Sequence, residues 1–232
     1  MRSHKYSLVL PCRNEAEHLA QVTTSVPKTI HEILIIDNCS TDDTKIVCKK
    51  LAKEDPRIRY IADPRQKNGI GYGYAIMTGL TSASGDTIII ADGDGSYPFS
   101  EIKSALKYMR KQNLDFISCA RYPVHSNSDP IPLKLRLGTK ILNIWTRILY
   151  GYRFNDILSG MMIIDRKSLS RLHLTAGDWN MSPQLKIESR KHLRAGEFQI
   201  SQQSRLGKTK QNYLSTGINH LLWLLKNRIF NR

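Results

Sequence analysis

The chain has 232 residues, with 35 Lys and Arg against 20 Asp and Glu, a formal net charge of +15. Hydrophobic residues make up 41% and charged residues 24%, a globular mix that excludes a disordered chain. No apolar run approaches the roughly 18 residues of a membrane-spanning helix, and the length fits one large domain or two small ones. The charge is sorted along the chain: residues 1–120 hold 16 basic and 14 acidic side chains, residues 121–232 hold 19 and 6. Such sorting points to an anionic partner for the second half, be it nucleic acid, a membrane surface or a phosphorylated substrate, with general solubility as the bland alternative.

In chain order, residues 6–10 form a buried strand stopped by Pro11, residues 15–25 a helix and residues 32–37 a second strand. Residues 38–42 are a turn whose Ser40, Thr41 and Asp42 can cap a helix reaching Leu51. Residues 57–61 form a third strand, residues 71–83 a helix, residues 87–91 a fourth strand. Pro98 and Ser100 open a helix to Lys111, and residues 115–120 are another strand. Strands alternating with helices predict an α/β protein with a mainly parallel sheet covered on both faces. Its ligands sit beyond the carboxyl ends of the strands. Cys12, Cys39, Cys48 and Cys119 show neither a C-x-x-C pair nor zinc spacing, and read as reduced thiols of a cytosolic protein. The N-terminal segment has no signal-peptide pattern.

After the first strand stands Pro11-Cys12-Arg13-Asn14-Glu15, with none of the glycines of a dinucleotide turn. After the fourth stands Asp92-Gly93-Asp94-Gly95-Ser96-Tyr97-Pro98. In extended backbone, Asp92 and Asp94 present two carboxylates to one side. They could be a general acid/base pair, a hard-metal site or a solvated turn. Mutual repulsion makes Mg²⁺ or Mn²⁺, completed by substrate phosphates, the leading choice.

Pro11 with Asn14-Glu15, Asp37 after an apolar strand, Lys67-Asn68-Gly69 and the Asp92 turn occur in an order that resembles the family 2 glycosyltransferases, nucleotide-sugar transferases of the glycosyltransferase A (Rossmann-like) fold. Cys119-Ala120-Arg121-Tyr122, Asp156-Ile157-Leu158-Ser159-Gly160 and Arg205-Leu206-Gly207-Lys208-Thr209-Lys210 look like the polyprenyl-phosphate branch typified by dolichol-phosphate mannose synthase. The resemblance implies that Pro11, Arg13, Glu15 and Asp37 line a nucleotide pocket (GDP- or UDP-linked sugar), together with Lys67 and Gly69. Asp37 would accept hydrogen bonds from the base, Asp92 would lie near the ribose and diphosphate, Asp94 would be the chief metal ligand and Ser96 a weak metal-side group. Arg205 and Lys210 would close over the diphosphate, with Lys208 a further phosphate clamp, and Asp156 would sit beside the reacting centre. Arg121, Arg136 and Thr139 would hold the lipid phosphate, a nucleophile that needs no base because it is already ionised at neutral pH. Residues 69–73 read as a flexible loop feeding a helix. Wet helix face for Arg136 and turn cap for Asp156 are the competing structural readings. Gln184 stands where related sequences carry Glu, which either argues against a base-dependent acceptor or moves an acidic role to Glu188.

Residues 135–149 and 212–230 carry apolar stripes bordered by cations, suited to a membrane surface or else to packing on the core or on another subunit. The expected organisation is a catalytic domain over residues 1–211 and an amphipathic helix over residues 212–232. The expected placement is peripheral, on the cytoplasmic face of a membrane, with a membrane-protein partner or a homo-oligomer. A glycan or soluble hydroxyl acceptor is the alternative to the lipid. No nucleic-acid-binding motif is present, so nucleic acid is not an expected partner.

Overall fold

The computed structural model describes residues 3–122, 131–207, 209 and 212–230. Seven strands, β1 (Tyr6–Cys12), β2 (Glu32–Asp37), β3 (Ile58–Ala62), β4 (Thr87–Ile90), β5 (Phe116–Ala120), β6 (Met162–Asp165) and β7 (Ala195–Gln199), form one sheet in the order β3-β2-β1-β4-β6-β5-β7. The helices are α1 (Leu19–Thr24), α2 (Thr44–Glu54), α3 (Tyr72–Ser82), α4 (Ile102–Lys111), α5 (Leu133–Tyr150), α6 (Met181–His192) and α7 (Tyr213–Phe230). Alternation along the strands sorts side chains to two cores. Leu8, Leu10, Ile33 and Ile35 meet α1, α2 and α4 on one face, while Val9, Leu34 and Ile36 meet α3 and α6 on the other. A third cluster of Leu142, Phe154, Ile157, Ile187 and Leu224 lies beneath α5 and α7.

The expected helices and parallel strands are present, with three differences of physical interest. β1 runs through Pro11 to Cys12, because its pairing with β4 ends at Val9 and only the β2 ladder continues. A proline is tolerated where one side needs no N–H. β6 runs antiparallel to both neighbours, filling the place that the β4–α4–β5 crossover skips, so the sheet is mixed. Neither β6 nor β7 was legible as a strand. Finally, Asn68 and Gly69 both have positive φ, and Lys67 and Ile70 exchange backbone hydrogen bonds of 2.7 and 3.0 Å. The loop expected over residues 69–73 therefore starts in a tight Asn-Gly turn and enters α3 at Tyr72.

Candidate active site

Beyond the carboxyl ends of β1, β2 and β4 lies a cavity of about 510 Å³. Pro11, Arg13 and Glu15 form one wall, Asn38 and Gly69 another, and Asp92 and Asp94 the floor. Trp179, Arg205 and the polar residues Asn212, Ser215, Thr216 and Asn219 of the α7 region close it. A second cavity of about 280 Å³ adjoins it, lined by Ser96, Arg121, Leu135, Ser182, Gln202 and Gln203 among others. The two share Tyr72, Asp92, Trp179, Arg205 and His220.

Asp92 faces both cavities and accepts a hydrogen bond from the Tyr72 hydroxyl (2.9 Å). Burial, and then the charge of Asp94, push its carboxyl up to about 6, against the pull of Arg205 and Tyr72. Gly160 lets the floor close: a Cβ there would stand 2.9 Å from Asp92 Oδ1. Asp94 is buried. Its Oδ1 accepts from the Ser96 amide (2.9 Å) and hydroxyl (2.6 Å), and its Oδ2 from Arg205 (2.8 Å). Gly95, at φ +75°, makes this turn possible. Ser96 was expected on the metal side; its hydroxyl instead spends its proton on Asp94 and positions that carboxylate.

Arg205 reaches the site because its segment is strapped over the Asp94 turn: Gln203 N donates to Ser96 O and Leu206 N to Asp94 O, each at 3.0 Å. Arg13 donates to the Gly69 carbonyl across the first cavity. The expected clamps Lys208 and Lys210 lie outside the described residues.

Five expectations are corrected by the structure. Asp37 does not line the cavity, since its carboxylate is held by the Tyr60 hydroxyl (2.8 Å) and the Ser40 amide (3.1 Å). Its neighbour Asn38 takes that place on the wall. The Asn38 amide nitrogen donates to the carbonyls of Asp63 and Arg65 (both 2.9 Å), leaving Oδ1 buried without a hydrogen-bond partner. Lys67 stands outside both cavities, 3.9 Å from Asp178. Asp156, expected at the reacting centre, is 0% exposed and touches neither cavity. It grips Arg121 bidentately (2.6 and 3.0 Å) and accepts from the amides of Arg121, Leu158 and Ser159. Burial alone would raise its pKa, but Arg121 and then Lys186 outweigh that and hold the carboxyl below its usual range. Arg121 lines the second cavity with its charge already neutralised by Asp156. Arg136 donates to the Ile131 carbonyl and Thr139 is buried against the Leu135 carbonyl (2.8 Å); neither lines a cavity.

Gln184 is buried and ties down the loop before α6. Its Oε1 accepts from Thr175 N (2.9 Å) and Ala176 N (2.8 Å), and its Nε2 donates to the Thr175 hydroxyl (3.0 Å). Glu188 accepts from His173 N and stands 3.6 Å from His192. Neither residue lines either of these two cavities.

Sequence reasoning missed Tyr72, Trp179, Asn38 and His220. Tyr72 and Trp179 stack with ring centroids 4.7 Å apart on the wall common to both cavities. Burial pushes His220 down to about 4, and its Nδ1 lies 2.7 Å from Asn180 Oδ1. The one sequence signal for Tyr72 was its setting between two glycines. Asn38 sits in the turn after the second strand and His220 in the striped terminal helix, where the local pattern does not single out either residue, and Trp179 sits in a segment without one. Among the described residues no cluster of three or more His, Cys, Asp or Glu is poised for a metal, and no helix is long and apolar enough to cross a membrane.

A sheet of this order with paired carboxylates beyond β4 is the glycosyltransferase A architecture. Crystal structures of glucosyl-3-phosphoglycerate synthase from Mycobacterium tuberculosis share it, with a TM-score of 0.74 at 18% identity over 97% of this chain and 80% of theirs. One of those structures holds Mn²⁺, UDP-glucose and phosphoglyceric acid. The family description "Glycosyl transferase family 2" matches residues 7–172; the chain belongs to that family and is a glycosyltransferase. It is 25% identical to the low-salt glycan biosynthesis hexosyltransferase Agl6 of Haloferax volcanii over 79% of its own length, but spans only 44% of that protein. It is 28% identical to an uncharacterized glycosyltransferase of Mycobacterium tuberculosis, over 73% of this chain and 71% of that one.

Proposed function

We propose that the chain transfers a hexosyl group from a nucleoside-diphosphate sugar in the first cavity to a hydroxyl of a glycan or other soluble acceptor in the second. The sugar's bond to the diphosphate breaks, its bond to the acceptor oxygen forms, and the hydroxyl proton passes to the neutral imidazole of His220, which lines both cavities. The observation that carries this is the meeting of the two cavities at Asp92 and Arg205. A donor diphosphate on that floor meets a fixed guanidinium, and Asn38 Oδ1 supplies a buried acceptor for an N–H of the base. The second cavity can take a neutral hydroxyl: Ser96, Ser182, Gln202 and Gln203 are uncharged polar groups on its walls, and both of its arginines are paired, Arg121 with Asp156 and Arg205 with Asp94.

Asp92 and Asp94 would hold Mg²⁺ or Mn²⁺. The fit rests on the pair itself, two oxygen-donor groups on one floor, Asp92 raised by burial and then by the charge of Asp94, which leave the remaining coordination positions to phosphate and water. When bound, the cation neutralises charge on the departing diphosphate. Arg205 reaches the same leaving group, Ser96 orients Asp94, and the Tyr72–Trp179 pair walls the place where donor and acceptor meet.

A second reading, transfer to a polyprenyl phosphate, is favoured by the apolar rim of the second cavity, where Pro132, Leu135, Leu158 and Tyr213 stand. Incubation with UDP- and GDP-hexoses and Mn²⁺, offering soluble saccharides and a short polyprenyl phosphate in parallel, separates the two. A water-soluble glycoside supports the proposal. An organic-phase product alone overturns it in favour of the lipid, and failure of folded protein to transfer to either acceptor overturns both.

A further inference from the structure

Among the described residues, large apolar side chains stand exposed at Ile46 and otherwise only on α5 and α7. On α5 they are Leu133, Leu137, Ile141, Ile144 and Ile148, with Trp145 beside them. On α7 they are Leu214, Ile218, Leu222, Leu225 and Ile229. Both series step by four, four, three and four residues, which draws one continuous stripe along each helix. The opposite faces are already used. Thr139, Leu142 and Thr146 of α5 and His220 and Leu224 of α7 are buried. α7 is thus amphipathic in the inverted sense, with polar residues on the donor cavity and its apolar stripe outward. The two helices are fastened together: Tyr150 OH donates to the Leu224 carbonyl (2.9 Å) and Arg228 Nε to the Leu149 carbonyl (2.7 Å).

The charge around these stripes selects the occupant. No acidic residue occurs between positions 131 and 155 or after position 197, whereas Lys134, Lys140, Arg147 and Lys226 are exposed beside the stripes. A second copy of the chain would bring cations against cations. A surface with an apolar interior and anionic headgroups satisfies both features at once. We infer that α5 and α7 form a platform that lies on a bilayer containing anionic lipid. The platform starts where Pro132, Leu135 and Tyr213 rim the second cavity, so docking would set that cavity at the lipid surface. The inference does not depend on the proposed acceptor, because binding is read with neither donor nor acceptor present.

The test is co-sedimentation of the full chain with vesicles of phosphatidylcholine alone or with about a third phosphatidylglycerol, alongside tryptophan emission. The expected result is sedimentation with the anionic vesicles, weakened by salt, with a blue shift from Trp145. The double variant Ile144→Glu/Ile218→Glu replaces exposed side chains and should lose at least about tenfold in partitioning while keeping its circular dichroism spectrum. Lys140→Glu/Lys226→Glu should abolish the preference for anionic lipid. Failure of folded wild-type protein to bind the anionic vesicles, or equal binding by Ile144→Glu/Ile218→Glu, overturns the inference. A dimer in sedimentation velocity that this double variant dissociates, without vesicle binding, overturns it in favour of a second copy.

Discussion

Replacing Asp156 with Ala tests the most consequential correction, that this carboxylate builds the site rather than reacting in it. The substitution leaves Arg121, 8% exposed, without its bidentate partner and strips three backbone amides of their acceptor. Removing one member of a buried ion pair costs about 3–5 kcal/mol, a large part of the roughly 5–15 kcal/mol that holds a domain folded. In a chain of this size the melting temperature should fall on the order of 10 °C. Urea unfolding followed by circular dichroism measures the loss directly. Replacing the pair together, Asp156→Leu with Arg121→Met, should recover part of it, since the uncompensated charge is then gone. The pH dependence has a definite sign. Asp156 titrates lower in the folded state than in the unfolded chain, so its contribution is complete above about pH 4 and is lost as the pH falls further. The wild type should therefore lose stability more steeply below pH 4 than Asp156→Asn. An Asp156→Ala variant that melts like the wild type yet has lost turnover would refute the reasoning and return Asp156 to the reacting centre.

Asp94→Asn should lower metal-dependent turnover by at least about a hundredfold, with a modest fall in melting temperature because the amide oxygen can still accept from Ser96 while the ion pair with Arg205 is lost; full activity would remove Asp94 from the cation site. Asn38→Ala should weaken nucleotide binding about tenfold by calorimetry, as befits one buried hydrogen bond, and an unchanged affinity would mean that Oδ1 does not meet the base. His220 is neutral when folded and titrates near 4, so the fold loses stability on the order of 3 kcal/mol as the pH drops from about 6.5 through 4. His220→Asn should flatten that part of the stability profile, and an unaltered slope in acid titration would contradict the assignment. Gln184→Glu should destabilise the fold by about 1–3 kcal/mol, since a buried amide donor to Thr175 is lost and a charge is introduced; a gain in turnover would show an acidic role at that position after all.

The strands and helices of the first half were legible because their signals are local. Short continuous apolar runs such as residues 33–36, turn residues at the strand ends and the Asp-Gly-Asp spacing are all contained in a few neighbouring residues. The carboxylate floor and the segment after β1 follow from their places at strand ends, while the roles of Pro11, Arg13, Glu15, Gly69 and Arg205 came from the family resemblance; the structure shows the backbone that straps Arg205 over Asp94. Contacts distant in sequence were not legible. Arg121 and Asp156 are 35 residues apart, and only the packed chain shows that each neutralises the other. Asp37 and Asn38 are adjacent and polar, and the choice of which faces the cavity was made by Tyr60, on the next strand.

The net charge of +15 and its concentration in the second half were properties of the sequence alone, and so were the paired stripes of residues 133–148 and 214–229. A helical period tells where the apolar residues align but carries no information about which face meets the protein. That choice depends on what the neighbouring elements leave unfilled. Here the third core is closed by Leu142, Phe154, Ile157, Ile187 and Leu224, the donor cavity takes the polar face of α7, and the apolar stripes are left outside.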